Sequence, residues 1–114
     1  MIYEIKQDGK FKYIEEGNGE PLLLLHGLFG ALSNFAHLIE YFNKSYKVVV
    51  PMLPLLDLDL LHTSVGGLQK FVHKFIENRN YTSINLLGNS LGGHVALVHI
   101  LKHPERIKSL TLTG

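Results

Sequence analysis

Residues 84–96 read Ile84-Asn85-Leu86-Leu87-Gly88-Asn89-Ser90-Leu91-Gly92-Gly93-His94-Val95-Ala96. The first four are a short apolar run with a β-branched start, as a strand requires, and an apolar helical pattern begins directly after Ser90. Between them, Gly88-Asn89-Ser90-Leu91-Gly92 fits G-x-S-x-G, the signature of a nucleophilic serine held on a sharp strand-to-helix turn. Such a turn strains the central residue and crowds the positions two before and two after it, where only a hydrogen side chain relieves the contact. The first turn of the following helix adds free N–H groups and a partial positive charge. A bare G-x-S-x-G also describes an ordinary strand-to-helix turn whose Ser caps the helix. The strand before it and the helix after it decide in favour of the strained turn.

A chain of 114 residues suggests one domain, able to bury roughly 65% of the surface its unfolded form exposes. With 46% hydrophobic and 18% charged residues it reads as a globular protein with a large core. A net charge of +1, with Lys and Arg scattered, makes no electrostatic case for nucleic acid or an anionic membrane surface. Cysteine is absent, which removes disulfides, thiolate metal sites and a cysteine nucleophile together. The N-terminus alternates apolar with polar and does not read as a signal peptide, and no apolar run approaches the ~20 residues of a membrane span. A soluble, cytoplasmic protein is the expectation.

In chain order, Ile2–Lys6 and Lys10–Glu15 alternate about Asp8-Gly9, which predicts a hairpin with Asp8 in the turn. Gly17 to Pro21 is a second turn cluster, and Pro21–Leu25 is continuously apolar, as a strand buried on both faces would be. His26-Gly27-Leu28-Phe29-Gly30 follows that strand. Ser33 is placed to cap a helix over 34–42 whose Phe35, Leu38, Ile39 and Phe42 share a face. A strand is predicted at 46–50 and a loop, with two prolines and no clean period, at 51–62. Thr63 or Ser64 opens the clearest helix, ending near Asn78. Its Leu68, Phe71, Val72, Phe75 and Ile76 form the buried stripe, and Lys70, His73, Lys74 and Glu77 face away. A helix over 91–102, stopped by Pro104, and a strand over 109–113 complete the pattern. Strands alternating with helices predict an α/β fold: a mostly parallel twisted sheet, fronted by an antiparallel hairpin, with helices on both faces.

These residues resemble the N-terminal half of the α/β-hydrolase fold superfamily. The likeness covers Glu15–Pro21, the buried strand, H-G-x-x-G at His26–Gly30, the Gly88–Ala96 stretch and His103-Pro104-Glu105-Arg106. It implies that residues 1–114 are the N-terminal part of a single domain, without cap or C-terminal strands. It also implies that the strands ending at Leu25 and Leu87 lie side by side, with a ligand crevice between their C-terminal ends. By the same likeness Ser90 is the nucleophile of a serine hydrolase acting on an ester, thioester or related acyl group. The backbone N–H groups of Leu28 and Leu91 would form the oxyanion hole. His26, Gly27, Phe29 and Asn89 would line the substrate site, with His26 bracing its loop rather than acting as base.

Two departures from the family stand out. The loop at 51–59 lacks the family's D-x-P-G-x-G-x-S pattern. The family's acid and catalytic histidine also follow the strand at which these 114 residues end. One triad member of three is therefore expected here, and no activity from this chain alone. His94 is expected to pack beside the sheet, and His37, His62, His73 and His103 show no pairing with Ser90. A self-associated form or a complementing C-terminal segment is the expected partner, since one sheet face would have a single helix and the last strand would be an open apolar edge.

No cofactor is implied. Asp57, Asp59 and His62 could be read as metal ligands, but a polar break in a leucine-rich loop accounts for them equally, so no metal is expected. Gly66-Gly67 lacks the G-K-[ST] ending of a phosphate loop. A serine at 90 rather than an aspartate argues against epoxide hydrolases and haloalkane dehalogenases. The alternative from another class is a non-catalytic relative of the same fold that binds a small molecule.

Overall fold

Leu22, Leu23, Leu24 and Leu25 are all buried, which requires a strand covered on both faces, and the fold is arranged around it. The computed structural model describes residues 3–27, 35–54 and 64–114. In chain order the elements are strands β1 (Lys6–Asp8), β2 (Phe11–Glu16) and β3 (Glu20–Leu25), helix α1 (Ala36–Phe42) and strand β4 (Tyr46–Pro51). Helix α2 (Val65–Asn78), strand β5 (Ile84–Asn89), helix α3 (Leu91–Lys102), a 3-10 turn (Pro104–Arg106) and strand β6 (Ile107–Thr113) follow. The six strands form one sheet in the order β1-β2-β4-β3-β5-β6. The contacts of β1 with β2 and of β2 with β4 are antiparallel, and the rest are parallel.

The chain leaves β3 for β4 on one side and reaches β5 on the other, so the C-terminal ends of β3 and β5 are adjacent where the winding reverses. Leu24 pairs with Leu87 and Leu25 with Gly88, which brings residue 26 level with the turn into α3. At the opposite end of the sheet, Asn85 ties three strands together. Its amide donates to Glu20 Oε2 at 3.3 Å, and Ser109 Oγ donates to its Oδ1 at 2.7 Å.

Alternation along the strands sends side chains to two separate cores. Leu23, Leu25, Ile84 and Leu86 meet the apolar stripe of α2 (Leu68, Val72, Phe75, Ile76) and Val95 and Ala96 of α3. Leu22, Leu24, Val48, Val50 and Leu87 meet Phe35 and Ile39 on the other face, where α1 is the helix among the described residues. Phe35, Leu38, Ile39 and Phe42 share the packed face of α1, as their spacing predicts. Ser64 is the cap of α2, its Oγ accepting from the Gly67 N–H at 3.1 Å.

Several sequence-based boundaries shift. Asp8 is the last residue of β1, paired with Phe11, and the turn is Gly9-Lys10 with φ of +60° at Gly9. Of the alternating Ile2–Lys6 segment only Lys6 lies in β1, residues 3–5 precede the strand and Ile5 is exposed, because the register is set by the Gly9 turn, and Ile2 lies outside the described residues. β4 includes Pro51, which pairs with Tyr13. β6 begins two residues earlier than its β-branched run suggests.

His73 does not face away from the core: it stacks on His103 with ring centroids 3.8 Å apart, in the seam between α2 and α3. His94, expected beside the sheet, is exposed. The expected Ser33 cap and the Asp57, Asp59 and His62 group lie outside the described residues. Among the described residues no three His, Cys, Asp or Glu side chains could hold a metal ion, and no helix is long and apolar enough to cross a membrane.

Candidate active site

The turn from β5 into α3 is the strained feature of the chain. Ser90 has φ 57° and ψ −119°, a conformation that a residue with a side chain avoids unless its surroundings impose it. Those surroundings are main chain. A Cβ on Gly92 would collide with the Leu25 carbonyl and come within 2.9 Å of His26 O, while a Cβ on Gly88 would lie 2.6 Å from Gly93 Cα. The backbones of β3, β5 and α3 are therefore in direct contact, and the residue between the two glycines absorbs the bend. Ser90 is exposed and makes no side-chain capping bond, which sets aside the reading of an ordinary capped helix.

Gly27 faces this serine across the crevice. A Cβ there would meet Ser90 Cβ at 3.2 Å and Leu91 N at 3.6 Å, so the loop after β3 lies against the serine and against the first amide of α3. The N–H of Leu91 precedes the first intrahelical bonds, which Gly93 and His94 make to the Ser90 carbonyl at 2.9 and 3.2 Å. Leu28 and Phe29 lie outside the described residues.

His26 is half-buried and bonded on both ring nitrogens. Nδ1 lies 3.2 Å from the Gly27 carbonyl, and Nε2 accepts the Leu53 N–H at 3.1 Å. One neutral tautomer, with the hydrogen on Nδ1, satisfies both. Burial pushes its pKa below the ordinary histidine value, opposed by the bond to Gly27. The ring thus pins the loop after β3 to the segment after β4.

On the other side, Thr113 on β6 holds the turn. Its carbonyl accepts the Ser90 N–H at 2.9 Å, and its hydroxyl donates to Asn89 Oδ1 at 2.9 Å. The structure therefore brings together Ser90, Leu91, Gly27, His26 and Asn89. Leu53 and Thr113 were not singled out from sequence. Leu53 contributes a backbone N–H, which no residue type announces, and Thr113 is recognisable only once β6 is known to pair in register with β5. Among the described residues no imidazole is hydrogen-bonded to Ser90 Oγ.

A serine strained at the C-terminal end of a central parallel strand, beside a glycine of the neighbouring loop, defines a class of protein, and comparison with known proteins agrees. The family model for the alpha/beta hydrolase fold matches residues 20–114. The chain belongs to the α/β-hydrolase fold family.

Among curated relatives it is 30% identical to monoacylglycerol lipase abhd6-B of Xenopus laevis, covering 91% of this chain and 34% of that protein. It is 31% identical to Lipase 1 of Psychrobacter immobilis, covering 90% and 34%. Among solved structures it matches MGS-MChE2, an alpha/beta hydrolase enzyme from a lagoon-sediment metagenome, with a TM-score of 0.92 and 46% identity. That match covers 97% of this chain and 52% of the other. The chain thus spans about a third of the length of these curated relatives. Lipases and other hydrolases are among the curated relatives, and so are acetyltransferases.

Two outcomes follow. Gly92→Ala forces main chain apart at Leu25 and should cost about 3 kcal/mol or more, whereas Gly93→Ala, whose nearest contact is 3.2 Å, should cost about 1 kcal/mol or less in urea unfolding. The His26–Leu53 bond should persist at and above the ordinary histidine pKa and be lost as pH falls below it, because protonating Nε2 removes the acceptor. Faster exchange of the Leu53 amide, relative to its intrinsic rate, reports the loss.

Proposed function

We propose that this chain supplies the nucleophile-bearing part of a single α/β-hydrolase domain, a serine hydrolase acting on an ester, thioester or related acyl substrate. The observation that carries the reading is Ser90 at φ 57°, exposed at the end of β5 and facing Gly27. The lipase names of the relatives support an acyl substrate.

In the proposed reaction Ser90 Oγ attacks the acyl carbonyl while a base takes its proton. The tetrahedral oxyanion is held by the N–H groups of Leu91 and Leu28, each such donor being worth ~10²–10³ in rate. Collapse expels the alcohol or thiol, which carries off the proton, and leaves an acyl-Ser90 ester that water then hydrolyses. Gly27, Phe29 and Asn89 border the acyl site. His26 braces it, since its lone pair is engaged by Leu53.

The acid and base come from a complementing C-terminal segment. Without a base, turnover falls by about 10⁶, so the 114 residues alone are inactive. The same segment, or a second copy, covers β6, whose one partner strand among the described residues is β5, together with its own exposed Leu112 and the exposed Leu97 and Leu101 of α3.

A fluorophosphonate probe should label Ser90 when the complementing segment is present and should not label the Ser90→Ala variant. Ligand binding without labelling would instead make the protein a non-catalytic binding relative. Ester hydrolysis by the 114 residues alone, abolished by Ser90→Ala, would overturn the assignment of the base to another segment. Light scattering of the chain alone at high concentration should show species larger than the monomer.

A further inference from the structure

Three histidines that the proposed chemistry does not use meet between α2 and the C-terminal end of α3. His73 and His103 stack at 3.8 Å with their planes 10° apart. His99 lies 5.2 Å from His103 and 5.8 Å from His73, centroid to centroid. His99 is fully buried, and the one hydrogen bond of its ring among the described residues is the Gln69 amide nitrogen donating to Nδ1 at 3.0 Å. Its hydrogen is therefore on Nε2, which is buried with no partner among the described residues, as is Nδ1 of His73. The stack is not a metal site. Ring lone pairs lie in the ring plane, so two rings stacked face to face direct theirs in parallel and cannot converge on one ion.

We propose that the three rings form a proton-operated latch, closed while they are neutral and opened by acid, that fastens α2 to the C-terminal end of α3. From α2 the groups facing it are Gln69, His73 and Glu77. From α3 they are His99 and His103, and from the 3-10 turn Glu105 and Arg106.

Glu77 Oε1 lies 3.4 Å from His73 Nε2 and Glu105 Oε1 3.8 Å from His103 Nδ1, so each outer ring has a carboxylate beside it. No carboxylate is bonded to the His99 ring among the described residues. Two imidazolium rings at stacking distance repel, and a charged His99 would carry two N–H groups in a seam that supplies one amide. Burial, then the neighbouring His103 and His73, push the His99 pKa from 6.5 to about 4. A histidine depressed in the folded state stabilises fully above its ordinary value and loses that contribution as pH falls through the interval down to its folded value, here between 6.5 and about 4. The latch is therefore closed at neutral pH and opens in acid.

Hydrogen exchange by mass spectrometry on the full chain, corrected for intrinsic rates, tests this between about pH 7.5 and about pH 5. Peptides from 69–78 and 97–103 should lose protection about tenfold more than peptides from β3 and β4. The double variant His73→Gln, His99→Gln should remove the difference. An equal loss in helices and strands, or an unchanged acid response in the variant, would overturn the proposal. If the variant does not fold, proton NMR titration of the wild-type imidazoles decides. Coupled titrations, with one ring well below the ordinary value, support the latch, and three independent ordinary titrations overturn it.

Discussion

Main chain packed on main chain, where Gly92 of α3 meets the carbonyl of Leu25 at the end of β3, is the contact on which the site depends. It leaves no room for a side chain at 92, and Gly88 is closed in the same way by Gly93. With both glycines fixed, the residue between them cannot relax, and Ser90 is held at positive φ by its neighbours rather than by bonds of its own hydroxyl. The strain, about 1–3 kcal/mol for such a conformation, is carried by the packing of two buried strands and a helix.

The surroundings of Ser90 are tied down from both flanks. On the β3 side the His26 ring links its own loop to Leu53, and on the β6 side Thr113 holds both Ser90 and Asn89. At the far end of the sheet Asn85 bridges Glu20 and Ser109. Strands β3, β5 and β6 are thus cross-linked by polar groups at one end and meet at the strained turn at the other. Each polar bridge joins strands that are far apart in sequence, so register and site geometry are set together.

Much of this was legible in the residues. Gly88 to Gly92, flanked by a strand-like and a helix-like pattern, located the strained serine, and Pro21–Leu25 located the central strand. The stripe from Leu68 to Ile76 placed α2, and spacing alone fixed the face of α1.

What escaped reading depended on contacts between elements. His73 sits on the polar side of the α2 stripe by periodicity, yet the arrival of α3 turns that position into a seam. Asp8 reads as a turn residue, but the two-residue turn chose Gly9-Lys10, where glycine takes the positive φ. Leu53 lies in a proline-broken stretch with no period, and its role comes from a backbone N–H. The likeness to α/β hydrolases supplied the adjacency of β3 and β5, which no periodicity encodes.

The strand order also governs how the chain assembles during synthesis. β3 lies at the centre, but both of its neighbours come later in sequence: β4 ends at residue 51 and β5 at residue 89. Until residues 84–89 have left the ribosome, one edge of the Leu22–Leu25 run has no partner, and this is the most apolar segment the nascent chain carries. Long-range parallel pairing of this kind is slow to nucleate and leaves sticky surface open in the meantime. The layout that later shelters β3 most completely is thus the one that keeps it waiting longest, an interval in which a chaperone would find its binding site.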